Sequence, residues 1–349
     1  MTSPLVISLD GMGGDAAPQI VVGGAALARE RLPQVRFILF GQADTLRELV
    51  AQHPILADCV EIRHAEQAVS NHEKPSVALR QFKQSSMRLA IDAVKTGEAH
   101  CVVSAGNTGA LMAMAKFVLR TLPGVDRPAI VSFFPTLKGE SAMLDLGANV
   151  ECDATNLVQF AVMGEAFART VLGIRQPSVG LLNVGEEELK GKEVLREAAD
   201  RLRNSILPIR FHGFVEGNDI AAGTVDVIVT DGFTGNVALK TAEGTSKLIT
   251  TFLREAFESS LLAKIGYLLA RRRMNNLRAR VDPRRYNGAV FLGLDGIAVK
   301  SHGGTDALGF ANAIGVAADM TIHGIIDKMK HDIAAVQSAS SQEVEGKSE

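Results

Sequence analysis

Five glycine-rich segments hold most of the residues in this 349-residue chain that could handle a small anionic substrate. They are Asp10-Gly11-Met12-Gly13-Gly14-Asp15, Ser104-Ala105-Gly106-Asn107-Thr108-Gly109, Asp145-Leu146-Gly147-Ala148-Asn149, Asp231-Gly232-Phe233-Thr234-Gly235-Asn236 and Ser301-His302-Gly303-Gly304-Thr305-Asp306. Glycine lets backbone approach a ligand closely. A helix starting just after such a turn adds unpaired N–H groups and the positive end of its dipole, which suits phosphate. Any one of these turns also reads as a plain tight strand-to-helix connection. The set, with Asn, Thr or His in four of the five, points to an anion pocket.

Other chemistries fit less well. Ala16 leaves the first turn short of GxGxxG, and no GxxxxGK[ST] occurs, so a nucleotide cofactor is not expected. Cys59, Cys101 and Cys152 have no zinc spacing, the histidines form no HExxH, and GxSxG is absent. A metal site or a Ser or Cys nucleophile is therefore not expected either. Lys190, in Gly185-Glu186-Glu187-Glu188-Leu189-Lys190-Gly191-Lys192, stands where a helix is predicted to begin. An ammonium there can neutralise phosphate or polarise a carbonyl; the segment equally reads as a solvated helix start. His302, at a predicted strand end, can donate to an oxyanion or simply hold its turn.

The elements that must position these residues alternate in type. Apolar runs such as Leu5–Leu9, Val35–Phe40, Cys101–Ser104, Ala129–Phe134, Ala142–Leu146, Val179–Asn183, Val225–Thr230 and Ile297–Lys300 predict strands buried on both faces. Helices are predicted at Ala16–Arg31, Ser76–Thr96, Thr108–Leu122, Ala154–Leu172, Lys190–Asn204 and Thr305–Met329. The alternation predicts an α/β, Rossmann-like three-layer fold on a mostly parallel sheet, with ligands at the strands' carboxyl ends. We read 1–335 as one catalytic domain and 336–349 as a disordered tail.

Composition narrows the class further. The chain is 46% hydrophobic with a net charge of -2, so nucleic acid is not an expected partner. No stretch reaches the roughly 18 apolar residues of a membrane span, and the N-terminus lacks a signal-peptide pattern. A cytoplasmic location is expected. One stretch, about 248–285, is helical with no strand. In it Leu261, Leu262, Ile265, Leu268 and Leu269 share a helical face and precede seven arginines. This predicts a protruding hairpin that lies on an anionic membrane surface, packs on the protein or a second subunit, or meets an acidic partner.

Taken in order, Asp10–Asp15 with Pro18, Ser104–Gly109, Leu144–Asn149, Asn183-Val184-Gly185 with Lys190-Gly191, Thr230–Asn236 with Lys240, and Lys300–Gly303 resemble the bacterial phosphate acyltransferase family from about residue 4 to 331. The resemblance implies transfer of a long-chain fatty acyl group from acyl carrier protein to inorganic phosphate. Its product would feed glycerol-3-phosphate acylation in phospholipid synthesis. It further implies a homodimer, contact with a glycerol-3-phosphate acyltransferase, and a fold like isocitrate and isopropylmalate dehydrogenases and phosphate acetyltransferase. Ala16 stands where the family frequently has His, so position 16 receives no proton-transfer role.

Phosphate is already an anionic nucleophile and a thiolate leaves readily, so positioning and oxyanion stabilisation are what remain for the protein. On that basis Lys190 and His302 are expected to stabilise charge, with Asp231 and Asn236 orienting the reacting groups. Phosphate and substrate contacts are expected from Asp10, Gly13, Gly14, Asn107, Thr108, Gly109, Asp145, Asn149, Thr234, Gly235 and Gly303. No cofactor is expected. The alternatives are a small-acyl phosphotransferase using coenzyme A, a dehydrogenase of the same fold, and a membrane-associated scaffold for lipid enzymes.

Overall fold

The computed structural model describes residues 4–205 and 209–345, without the side chains of 277–281, 283 and 336–345. Its strands are β1 (Val6–Asp10), β2 (Arg36–Gly41), β3 (Val60–His64), β4 (Cys101–Ser104), β5 (Ala129–Thr136), β6 (Gly139–Leu144), β7 (Ser178–Leu182), β8 (Arg210–Val215), β9 (Val227–Val229), β10 (Ala289–Leu292) and β11 (Ile297–Lys300). Between them run α1 (Gln19–Arg31), α2 (Ala43–Ala51), α3 (Pro75–Gln81), α4 (Ser86–Lys95), α5 (Thr108–Leu119), α6 (Ala154–Val171), α7 (Glu193–Arg203), α8 (Gly217–Ala222), α9 (Gly232–Glu258), α10 (Leu261–Val281), α11 (Ala307–Ile322) and α12 (Ile325–Glu345).

All strands join one sheet in the order β3-β2-β1-β4-β11-β10-β5-β6-β9-β7-β8. It is mostly parallel, as expected from the apolar runs. The β5–β6, β5–β10 and β10–β11 pairs are antiparallel. Hence β1–β5 and β11 run one way and β6–β10 the other. Helices cover both faces. One apolar core contains Leu9, Val103, Phe160 and Phe310, and the other contains Phe40, Met114, Met143 and Phe291.

Local chemistry corrects several boundaries. The helix expected at Ser76–Thr96 is two, because Ser85 caps a fresh start by accepting from the Arg88 N–H. The helix expected from Lys190 begins at Glu193, beyond Gly191, whose φ of +85° suits a turn. The helix expected over Thr305–Met329 breaks at Gly324, with φ +62°. Its successor continues to Glu345, through most of the segment read as a disordered tail; 346–349 lie outside the described residues.

The helical hairpin is α9 and α10, with Phe257 and Tyr267 in ring contact at 5.3 Å. Its apolar stripe is exposed: Leu261, Leu262 and Leu269 are 79–83% accessible. The stripe therefore does not pack within this chain. Arg284 is not part of a free basic cluster, since it pairs with Asp282 (2.6 Å) and Asp306 (2.9 Å). Among the described residues no single helix is long and apolar enough to cross a membrane.

Candidate active site

Opposed strand directions sort the five glycine turns into two centres, at the carboxyl ends of two oppositely directed sets of internal strands. The expected single crevice is thereby corrected: the antiparallel strands invert the second half, so its carboxyl ends face the other way.

The first centre joins the ends of β1, β4 and β11. Asp10, 1% exposed, accepts hydrogen bonds from the Ser86 hydroxyl (2.5 Å) and the Ser104 hydroxyl (2.6 Å). Burial pushes its carboxyl above the usual range despite those donors. A Cβ at Gly13 would collide with this carboxylate and lie 2.7 Å from the Gly106 N–H, so only glycine fits there. Gly14 has φ +115°, and the Asp15 N–H donates to the Gly303 carbonyl (2.9 Å), which ties the first turn to the fifth.

Asn107 caps α5 by accepting from the Ala110 N–H. Its Nδ2 donates to the carbonyls of Ser70, Asn71 and Glu73. The side chain is thus occupied in holding a loop rather than presented to a ligand. Thr108 and Gly109 begin α5, where first-turn N–H groups lie outside the helical ladder. His302 is exposed, and its Nδ1 accepts from the Gly304 N–H (3.2 Å).

Sequence reasoning assigned no role to two residues that hold this centre. Asn287 accepts from the His302 N–H (2.8 Å) and donates to the Ser301 hydroxyl and the Gly309 carbonyl. Lys300 is 8% exposed and donates to the carbonyls of Ala105 and Ser301. A lone Lys ending an otherwise apolar strand before a glycine turn was the available signal for it.

Burial lowers the Lys300 ammonium to about 8 from its ordinary 10.5. Because the folded value is depressed, the folded state binds fewer protons than the unfolded chain between these values. Stability is therefore expected to rise with pH across that window. Lys300→Met should flatten the rise, read as urea midpoints at about pH 7.5 and about pH 9.5. An unchanged slope would show the ammonium to be solvated.

The second centre joins the ends of β6, β7 and β9. Asp145 is fully buried and accepts from the N–H groups of Ile130, Gly147, Ala148 and Asn149 and from the Asn149 side chain, at 2.7–3.2 Å. The third turn thus folds around its own carboxylate, and those amides are engaged internally. Burial still pushes the Asp145 carboxyl upward.

Asn149 also donates to the Pro128 carbonyl (2.8 Å), and its own carbonyl accepts from the Gly232 N–H (2.7 Å). That contact seats the fourth turn on the third. Asp231 caps α9 through the Thr234 N–H (2.7 Å) and faces the Lys192 Nζ at 3.7 Å. Gly235 admits no Cβ against the Asp145 carbonyl. Asn236 is exposed over Gly147.

Lys190 lies in the turn before α7 rather than at the helix start, half-exposed and paired with Glu187 at 2.8 Å; that partner raises its pKa. Asn183 donates to the carbonyls of Gly185 and Lys190, fixing the Lys190 turn from below, and its Oδ1 is buried without a hydrogen-bond partner.

The second centre differs from the first in its surroundings. Two ammonium groups, Lys190 and Lys192, border it. Exposed apolar side chains stand on the same turns: Val184, Leu189, Phe233 and Val237. Two ammonium groups beside exposed apolar side chains make a surface whose chemistry suits an amphiphilic anion. Cys152 beside it is no ready nucleophile, since burial and the Asp145 carboxylate hold its thiol at about 11. Fully buried Cys101 is pushed up to about 12. Among the described residues no group of three or more His, Cys, Asp or Glu is placed to hold a metal ion.

Comparison with known proteins gives a consistent result. Residues 5–328 match the family model described as "Fatty acid synthesis protein". The chain is 65% identical over 339 residues to the "Phosphate acyltransferase" of Rhodospirillum centenum, covering 97% of this chain and 96% of that protein. It is 61% identical to the "Phosphate acyltransferase" of Paramagnetospirillum magneticum, covering 97% of each. Among solved structures, a phosphotransacetylase from Streptococcus pyogenes superposes with a TM-score of 0.63 at 17% identity, covering 92% of this chain and 95% of that one; this likeness concerns the fold. The motif order, the two glycine-turn centres and these matches together show that the chain belongs to the bacterial phosphate acyltransferase family.

Proposed function

We propose that the protein transfers a long-chain fatty acyl group from acyl carrier protein to inorganic phosphate, with the reacting groups at the Lys190 centre. The observation that carries this placement is the pairing of Lys190 and Lys192 with the exposed apolar rim of Leu189 and Phe233. A phosphate oxygen attacks the thioester carbonyl and forms a tetrahedral oxyanion. Collapse breaks the C–S bond, leaving an acyl phosphate and the carrier's thiolate, which takes a proton from solvent. Lys190 stabilises the oxyanion, and Asn236 with Asp231 orients phosphate over the Gly147 and Gly232 turns. At the first centre His302, Gly14, Thr108, Gly109 and Gly303 bind a further polar part of the donor. Acyl carrier and acyl-coenzyme A donors of equal chain length, assayed in parallel, test the donor: the carrier should give the higher kcat/KM by at least about tenfold. Equal values would favour the coenzyme A reading.

The working form in this reading is a homodimer resting on the inner membrane surface through the exposed stripe of α10. Support comes from Leu261, Leu268 and Leu269 standing in solvent next to Arg271, Arg272 and Arg273. Leu261→Glu with Leu268→Glu should abolish co-sedimentation with anionic liposomes while turnover of soluble donor persists. Loss of the dimer in that variant would instead make the stripe a subunit contact.

A further inference from the structure

The turn that carries Lys190 is tied to the sheet by one buried side chain. Asn183 directly follows β7, and its N–H donates to the Val215 carbonyl (2.8 Å), so the sheet fixes its backbone. The residue is 9% exposed. Its Nδ2 donates to the carbonyls of Gly185 and Lys190, each at 3.1 Å. Those two carbonyls stand at the two ends of the turn 185–190. A single amide group therefore closes the turn and anchors it.

Both tied points bear on the Lys190 ammonium. The Lys190 stem lies across Gly185, where a Cβ would overlap the Lys190 Cδ and come within 3.1 Å of its Nζ. Gly185 is thus the floor under the side chain, and the Lys190 carbonyl is its root. The Asn183 Oδ1, buried without a hydrogen-bond partner, lies against Gly191, where a Cβ would overlap it. The amide cannot turn over to give this oxygen a donor, because Oδ1 would then face two carbonyls that have no proton to offer.

The turn's further ties lie at the surface. Lys190 pairs with Glu187 (2.8 Å), Glu188 pairs with Arg203 (3.0 Å), and Arg196 donates to the Leu189 carbonyl (3.2 Å). Exposed ion pairs hold a loop weakly. A lysine stem also has four carbons free to rotate, so the ammonium is located by what its backbone and floor allow.

We propose that Asn183 is a positioning residue for acyl transfer: from the end of β7 it holds the Gly185 and Lys190 carbonyls and so sets where the Lys190 ammonium stands. The inference rests on the reading that places the reaction at Lys190. Asn183 acts through Lys190 rather than on substrate, since its Nδ2 is spent on the two carbonyls and Gly191 covers its Oδ1. Shifting a stabilising group by about 1 Å can cost up to about 100-fold in rate, so freeing this turn should be felt in turnover.

A double-mutant cycle on kcat separates positioning from general support of the fold. Asn183→Ala is measured alone and in the Lys190→Ala background, with palmitoyl carrier donor and saturating phosphate. Gly191→Ala is carried through the same cycle. It strains a residue at φ +85° and pushes on Oδ1, so it disturbs the tie from the other side and serves if Asn183→Ala does not fold. The expected result is a fall in kcat of about tenfold to 100-fold for each change when Lys190 is present, and less than about twofold when Lys190 is already alanine. An equal fall in both backgrounds would make Asn183 a support of the fold and overturn the proposal. So would unchanged kcat in a folded Asn183→Ala variant. A Lys190→Ala variant as fast as wild type would instead overturn the placement of the reaction at Lys190, and the positioning role with it.

Discussion

Lys190→Ala is expected to lower phosphate-dependent turnover by about 100-fold or more while the folding midpoint stays where it is. The size follows from removing one preorganised cation from the place where oxyanion charge develops. The unchanged stability follows from the residue's setting. Lys190 is half-exposed, and its ion pair with Glu187 lies at the surface, where such pairs contribute little. Its backbone carbonyl, held by Asn183, survives the substitution. The neighbouring carboxylate raises the Lys190 pKa, so the ammonium stays charged at any ordinary assay pH. Turnover near wild type in a folded variant would reduce Lys190 to a solvated turn residue and move the reaction away from this centre.

Asp145→Ala should act on the fold itself. Its carboxylate is the acceptor for five N–H donors, four of them backbone amides, and it is fully buried. Truncation leaves those donors without a partner at about 1–3 kcal/mol each when water cannot reach them, so a loss of at least about 3 kcal/mol is expected. Asp145→Asn should recover only part of this, because its NH2 would face N–H donors. Urea unfolding measures both variants. Activity should fall alongside stability, because the Asn149 carbonyl that seats Gly232 moves with the loop. An unchanged midpoint for Asp145→Ala would mean the third turn holds its shape without the carboxylate.

These two residues illustrate what the sequence could and could not disclose. Both sit in motifs visible as strand-end turns, and the order of those motifs was enough to place the chain in its family. Their roles were less accessible. Asp145 and Asn107 read as ligand contacts because polar residues in glycine turns commonly are. In the fold each is consumed by backbone groups of its own neighbourhood. Which hydrogen bonds a polar side chain makes depends on segments brought close by tertiary structure, such as Ser70–Glu73 beside Asn107.

The division into two centres was hidden for a similar reason. Strand direction is set by how β5, β6 and β10 pair, and an apolar run carries no sign of direction. Lys300 and Asn287 were overlooked as anchors because their burial depends on strands far apart in the chain meeting at one edge. By contrast, the caps that Asn107, Asp231 and Asp306 form involve only each residue's own next few neighbours, a local relation that needs no tertiary contact.

The reaction itself can be tested most directly by measuring two products together. Purified protein is given palmitoyl carrier protein with and without inorganic phosphate; free carrier is quantified, and acyl phosphate is trapped with hydroxylamine. Phosphate acyl transfer predicts equal amounts of free carrier and trapped acyl group, both rising with phosphate and both absent without it. Carrier released at the same rate without phosphate, with no trappable acyl phosphate, would contradict it.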